Sequence, residues 1–145
     1  LHITSHGGEA SGADSVREVL ANFHPSRIGH GVRSVEDANL LSFLKEKDIH
    51  LEVCPTSNVQ TNVVNEIKDH PADRIYRTGV SMSINTDCRT ISDTTLNKEY
   101  DLLTHIFNWE KINFLKCNLE AIRHAFCDEA TKGKLKEQIL AAYAD

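Results

Sequence analysis

The 145-residue sequence predicts an α/β fold built on about four parallel strands. Three observations carry this reading. Short β-rich runs alternate with amphipathic helical stretches. The stretch between successive runs is long enough for the crossover that parallel strands require. The polar clusters fall just after the runs, where parallel α/β folds place their chemistry.

In chain order, the first run is Leu1–Thr4, ending in Ser5-His6-Gly7-Gly8-Glu9. The spacing of Val16, Val19, Leu20 and Phe23 predicts a helix, with Ser11 as its cap and Asp14 three residues on. Arg27-Ile28-Gly29 is a second strand that ends at His30-Gly31-Val32, and Ser34 with Asp37 repeats the capping pattern ahead of Val35, Ala38, Leu41 and Leu44. Ile49–Val53 is a third strand, ending at Cys54-Pro55-Thr56-Ser57-Asn58. A weaker helix is expected over residues 63–68, stopped at His70-Pro71. Val80–Ile84 is the fourth strand and ends at Asn85-Thr86-Asp87; three helices, roughly 94–107, 110–126 and 129–143, close the chain.

Composition narrows the class. With 40% hydrophobic and 26% charged residues the chain can form a real core and is no low-complexity polymer. A net charge of −5 offers no electrostatic footprint for nucleic acid or an anionic membrane surface. No stretch is apolar enough to span a membrane, and no signal-peptide pattern opens the chain. Cys54, Cys88, Cys117 and Cys127 show neither C-x-x-C nor zinc-ribbon spacing, so a reducing, cytoplasmic setting is expected. The chain opens without Met in a strand-like run, which reads as a cut.

His6, Glu9, His30 and Asp87 follow three different strands and are expected to converge on one rim of the sheet. Imidazole nitrogens and carboxylate oxygens can hold a divalent metal, and a metal-activated water near neutral pH is a nucleophile. A carboxyl group in a desolvated pocket can serve as the proton donor. These parts suffice for hydrolytic attack on an electrophilic carbon.

His6-Gly7-Gly8-Glu9, Gly29-His30-Gly31, Cys54-Pro55-Thr56-Ser57-Asn58 and the run Val80–Asp87 resemble, in order and spacing, the motifs of the adenosine deaminase family of metal-dependent (β/α)8 barrels. The resemblance implies that residues 1–145 are the C-terminal half of a TIM-type barrel, with the N-terminal half as its missing partner. It implies zinc as the metal, a purine nucleoside as the small-molecule substrate, and hydrolytic deamination as the reaction. It implies that His6 and Asp87 are metal ligands, that Glu9 protonates the purine ring, and that His30 orients the water. Gly8 and Cys88 would border the substrate, with Ser57 and Asn58 shaping a loop.

Two departures from the family pattern bear on this expectation. Cys88 stands where many members carry a second Asp, which opens the choice of substrate to adenine or a modified adenosine. No His-x-His pair occurs, so the ligand set is incomplete, and the chain alone is expected to hold zinc poorly. A cytidine-type zinc site, H-x-E followed by P-C-x-x-C, is disfavoured, because the chain has His-x-x-Glu and Cys54-Pro55 without a second cysteine two further on. A non-catalytic module that kept the motifs is the alternative of another class.

The remaining residues have plainer readings. His2, His24, His50, His70, His105 and His124 show no partner pattern. Cys54, Cys117 and Cys127 read as small buried residues, Phe107, Trp109 and Phe114 as core, and residues 128–138 as a solvated helix face. Half a barrel is expected to leave edge strands and an apolar sheet face uncovered.

Overall fold

The computed structural model describes residues 1–144. Its four strands are β1 (Thr4–Gly7), β2 (Arg27–His30), β3 (His50–Val53) and β4 (Met82–Ile84), all parallel, in the order β1-β2-β3-β4. The register pairs His6 with Gly29, Gly29 with Glu52, and Glu52 with Ser83, so these four share one face. The opposite face carries Ile28, Leu51, Val53, Met82 and Ile84, all buried.

Helices α1 (Ala13–Phe23) and α2 (Ala38–Glu46) make the first two crossovers. Val16, Val19, Leu40 and Leu44 from these helices join the core with the apolar face of the sheet. Helices α3 (Pro55–Gln60) and α4 (Ala72–Thr78) lie between β3 and β4; α5 (Arg89–Ser92), α6 (Leu96–Phe107), α7 (Lys111–His124) and α8 (Glu129–Ala142) follow β4. Trp109 and Phe114 are buried in the same core, whereas α8 buries none of its residues, as expected of a solvated helix. No helix of the described residues is long and apolar enough to cross a membrane.

The structure corrects the expectation of an uncovered apolar sheet face. The apolar face lies under the helices, and the other face is polar and cross-linked. Glu52 accepts a hydrogen bond from Thr4 Oγ1 at 2.9 Å and pairs with Arg27 at 3.3 Å. The His50 ring nitrogens bond Ser81 Oγ at 2.8 Å and Ser83 Oγ at 2.9 Å, and Ser81 donates to Glu120 at 2.6 Å. The loop after α7 closes the strands' N-terminal end, where the Arg27 guanidinium stacks over Phe126 at 3.6 Å.

Local signals were partly misplaced. Ser11 caps nothing: α1 starts from Gly12, and no side chain caps it. Ser34 lies inside a 3-10 turn over Val32–Glu36, while Asp37 is the cap of α2, accepting from the amides of Asn39 and Leu40. The helix expected over 63–68 is replaced by turns and a 3-10 segment, Ile67–Asp69. Pro71 is the residue that caps the start of α4 instead of stopping a helix, and Pro55 is the first residue of α3. Proline needs no amide partner in a first turn, and its fixed φ suits a helix start.

Candidate active site

Each site side chain sits at the C-terminal end of a strand or in the turn that follows. His6 projects from β1 beside Gly29, and that glycine is what makes room: a Cβ there would stand 2.5 Å from His6 Cδ2. His30 ends β2 with φ of +63°, a left-handed backbone that is uncommon outside glycine. The change of backbone interrupts the strand's alternation and brings the His30 ring edge-on to His6, with centroids 4.9 Å apart.

His30 is almost wholly buried, at 1% exposure. Its Nε2 lies 3.3 Å from Glu9 Oε2 and 3.9 Å from Asp87 Oδ2. Burial pulls the His30 imidazole below its ordinary pKa. The Glu9 and Asp87 carboxylates oppose that pull, and His6 adds to it. Asp87, in the turn after β4, also has a left-handed backbone, with φ of +54°.

His6, Glu9 and His30 each offer a ligand atom within 4.8 Å of the others. Imidazole nitrogen with carboxylate oxygen is a donor set that suits zinc. A cleft of about 170 Å³, lined by His6, His30, Glu52, Cys54 and Asp87 among others, opens at this point. A broader cleft of about 500 Å³ shares Asn85 with it and runs along Thr86 and Arg89. The Cys54 thiol is pushed up to about 12, first by burial and then by the Asp87 charge, and its Sγ donates to the Glu52 carbonyl at 3.4 Å.

One short helix holds most of this arrangement. From α3, Ser57 Oγ donates to Asp87 at 2.8 Å and Asn58 Nδ2 donates to His30 Nδ1 at 3.1 Å. Thr61, which ends that helix, donates to Glu9 at 3.2 Å. The helix is tied down in turn by Glu99, wholly buried, which accepts from the Thr56 amide at 3.1 Å and from Thr94 Oγ1 at 2.7 Å. Ser57 and Asn58 are therefore helical and bonded to the site, not parts of a loop. His70, read as lacking a partner, bonds Asn58 Oδ1 at 3.0 Å. Reading Pro55 as a helix start would have put Thr61 one turn on from Ser57 and Asn58, beside the cluster. Nothing in the sequence marked His70, Glu99 or Thr94.

Gly8 and Cys88 lie at the margins of the cluster. The Gly8 amide donates to Ser15 Oγ at 2.9 Å and its carbonyl accepts from the Arg33 amide at 3.1 Å. Its φ of +66° brings the turn so close to Gly31 that a Cβ would stand 3.3 Å from that backbone. Cys88 is exposed and starts α5 directly after Asp87.

Comparison with known proteins places this geometry. The family model described as "Adenosine deaminase" matches residues 1–142. An adenine deaminase of Sinorhizobium fredii is 40% identical over 142 residues, covering 98% of this chain and 43% of its own. An adenosine deaminase of Clostridium perfringens is 33% identical over 140 residues, 97% of this chain and 42% of its own. The crystal structure of an adenine deaminase from Arthrobacter aurescens superposes with a TM-score of 0.95 at 26% identity, over 100% of this chain and 44% of that one. The chain spans less than half the length of the curated relatives it matches.

Proposed function

This chain belongs to the adenosine deaminase family, and from that premise we propose that it carries the acid–base groups and part of the zinc site for hydrolytic deamination of a 6-aminopurine. The observation that supports the reading best is the convergence of His6, Glu9, His30 and Asp87 from three strand ends, with His6, His30 and Asp87 lining one small cleft and Glu9 beside His30. In this proposal residues 1–145 form the C-terminal half of a barrel, and the polar face of the sheet is the inner wall.

Although the mutually close donors are His6, Glu9 and His30, with Asp87 outside that set, the family resemblance assigns the zinc to His6 and Asp87, and imidazole with carboxylate fits it. Two ligands do not complete a zinc site, so the remainder would come from chain outside these residues. When bound, the ion supplies an ionised water at neutral pH. His30 Nε2 orients that water toward the purine C6 carbon. As oxygen bonds to C6, the ring π-electrons move onto the adjacent nitrogen, where the Glu9 carboxyl delivers its proton. The C6 hydroxyl then gives its proton to the amino group, the C6–N bond breaks and ammonia leaves, while the 6-oxo purine keeps the proton from Glu9; the proton lost when the water ionised restores the Glu9 carboxyl. Gly8 and Cys88 would border the ring. The four free cysteines among the described residues suit a cytoplasmic setting.

The nucleoside adenosine is the expected substrate. Adenine itself is a second reading, favoured because the relatives at 38–40% identity are adenine deaminases and the adenosine deaminase is at 33%. The test is ammonia release from adenine, adenosine and 6-aminopurine nucleotides by the full-length protein containing these residues, with zinc measured on the same sample. Turnover of one of these is expected. Substitution Glu9→Gln should lower kcat by about 10²–10⁴-fold with zinc content unchanged. Stoichiometric zinc with no turnover of any 6-aminopurine would overturn the proposal; zinc loss in the Glu9 variant would make Glu9 a ligand.

A further inference from the structure

Ala72 donates its backbone amide to His70 Nδ1 at 3.1 Å. A backbone N–H can only donate, so His70 Nδ1 is an acceptor and the proton of the neutral ring sits on Nε2. His70 is 3% exposed, and burial lowers its pKa to about 4, so the ring is neutral near pH 7. Its Nε2–H therefore donates to Asn58 Oδ1 at 3.0 Å. That bond orients the Asn58 amide: the oxygen meets His70, and Nδ2 is left to face His30 Nδ1 at 3.1 Å. Turning the amide over would set two N–H donors against each other at His70, and would set Oδ1 against the unprotonated His30 Nδ1 as two acceptors. Asn58 is fully buried, so water offers no substitute partner.

We propose that His70 is a positioning residue of the site: acting through Asn58, it holds His30 in the tautomer with its proton on Nε2, pointing at Glu9 and Asp87. The chain of bonds runs in one direction, from the Ala72 amide through His70 and Asn58 to His30, and every member is buried. It gives His30 a donor's part: Nε2–H holds an oxygen by one of its lone pairs and leaves another free to attack. Partners that fix the second nitrogen of a functional imidazole set its orientation and tautomer in this way. His70 itself touches none of His6, Glu9, His30 or Asp87 in the bonds described.

Only the kinetic arm of the test rests on the proposed deaminase reading. In the ¹⁵N-histidine-labelled full-length protein, long-range ¹H–¹⁵N spectra report which nitrogen of each ring carries hydrogen. The wild type should show His30 protonated on Nε2 and not on Nδ1. In His70→Leu the anchor of Asn58 is lost, and a population of His30 with hydrogen on Nδ1 should appear. His70→Gln keeps a donor toward Asn58 Oδ1 and should restore the wild-type pattern. With the purine that the wild type turns over, His70→Leu should lower kcat by roughly 10–100-fold and leave KM within about twofold, and His70→Gln should recover most of the loss. Hydrogen on His30 Nδ1 in the wild type overturns the inference, even if the Leu variant fails to fold. So does a folded His70→Leu protein with an unchanged spectrum and unchanged kcat. A wild type that shows the Nε2 tautomer but turns over no purine supports this inference while overturning the proposed function.

Discussion

Single residues at the site are set by what their neighbours lack or supply. His6 occupies the space that a side chain at position 29 would fill, since a Cβ there would come within 2.5 Å of the imidazole. Substitution Gly29→Ala should therefore push His6 aside while the apolar core on the other face of the sheet stays intact. In chelator competition on the full-length protein, zinc should bind at least about 10-fold more weakly, the scale at which displaced ligand support is felt. Thermal unfolding of the metal-free form should shift little. Undiminished zinc affinity would show that the imidazole has another resting place. The gathering of His6, Glu9, His30 and Asp87 was open to sequence reading because each follows a β-rich run. Their supports Asn58, Thr61 and His70 were not, because contacts across 12 to 52 residues leave no periodic trace.

Among the elements, the six-residue α3 carries consequences out of proportion to its length, since bonds from Ser57, Asn58 and Thr61 reach Asp87, His30 and Glu9. Glu99 on α6 secures it by accepting the Thr56 amide in its first turn. Replacing Glu99 by Ala leaves a half-buried amide and a buried hydroxyl without their acceptor and opens a cavity. The expected destabilisation is about 2–5 kcal/mol, read from urea unfolding, with a loss of activity beyond what the stability change explains. A stable variant with full activity would show that α3 holds its place unaided. The strands and the long helices were legible because apolar periodicity persists over enough residues to be seen. The short helices α3, α4 and α5 were missed for the opposite reason: four to seven residues hold at most two turns, and proline was read as a stop where it serves as a start. The polar face went unread because three- and four-residue strands show too few alternations to tell a wet face from a dry one.

Across the whole molecule, two buried histidines couple the fold to pH. His50 is pulled down to about 3, by burial first and then by the neighbouring His124, and His70 is pulled down to about 4 by burial. Both lie below the ordinary value of 6.5, so between these limits the unfolded chain binds more protons than the folded one. Stability is then fully present above about pH 6.5 and is lost as the pH falls through the window toward the folded values. A shift of this size corresponds to something on the order of 3 kcal/mol for His70. Urea midpoints of the metal-free protein should fall steadily from pH 7 to pH 5. In His50→Gln the slope between pH 5 and 6 should shrink by about 1 kcal/mol per pH unit; an unchanged slope would mean that His50 takes up its proton as readily in the folded chain as in the unfolded one.

The left-handed backbones of His30 and Asp87 set two demands against each other. A side chain in that conformation strains the fold, typically by about 1–3 kcal/mol, and glycine relieves it. Mutation that rewards persistence alone would drift toward glycine at position 87, where the carboxylate is partly exposed, and empty the cleft of a donor. Aspartate at position 87 thus keeps a donor in the cleft at a cost in backbone strain that glycine would not carry.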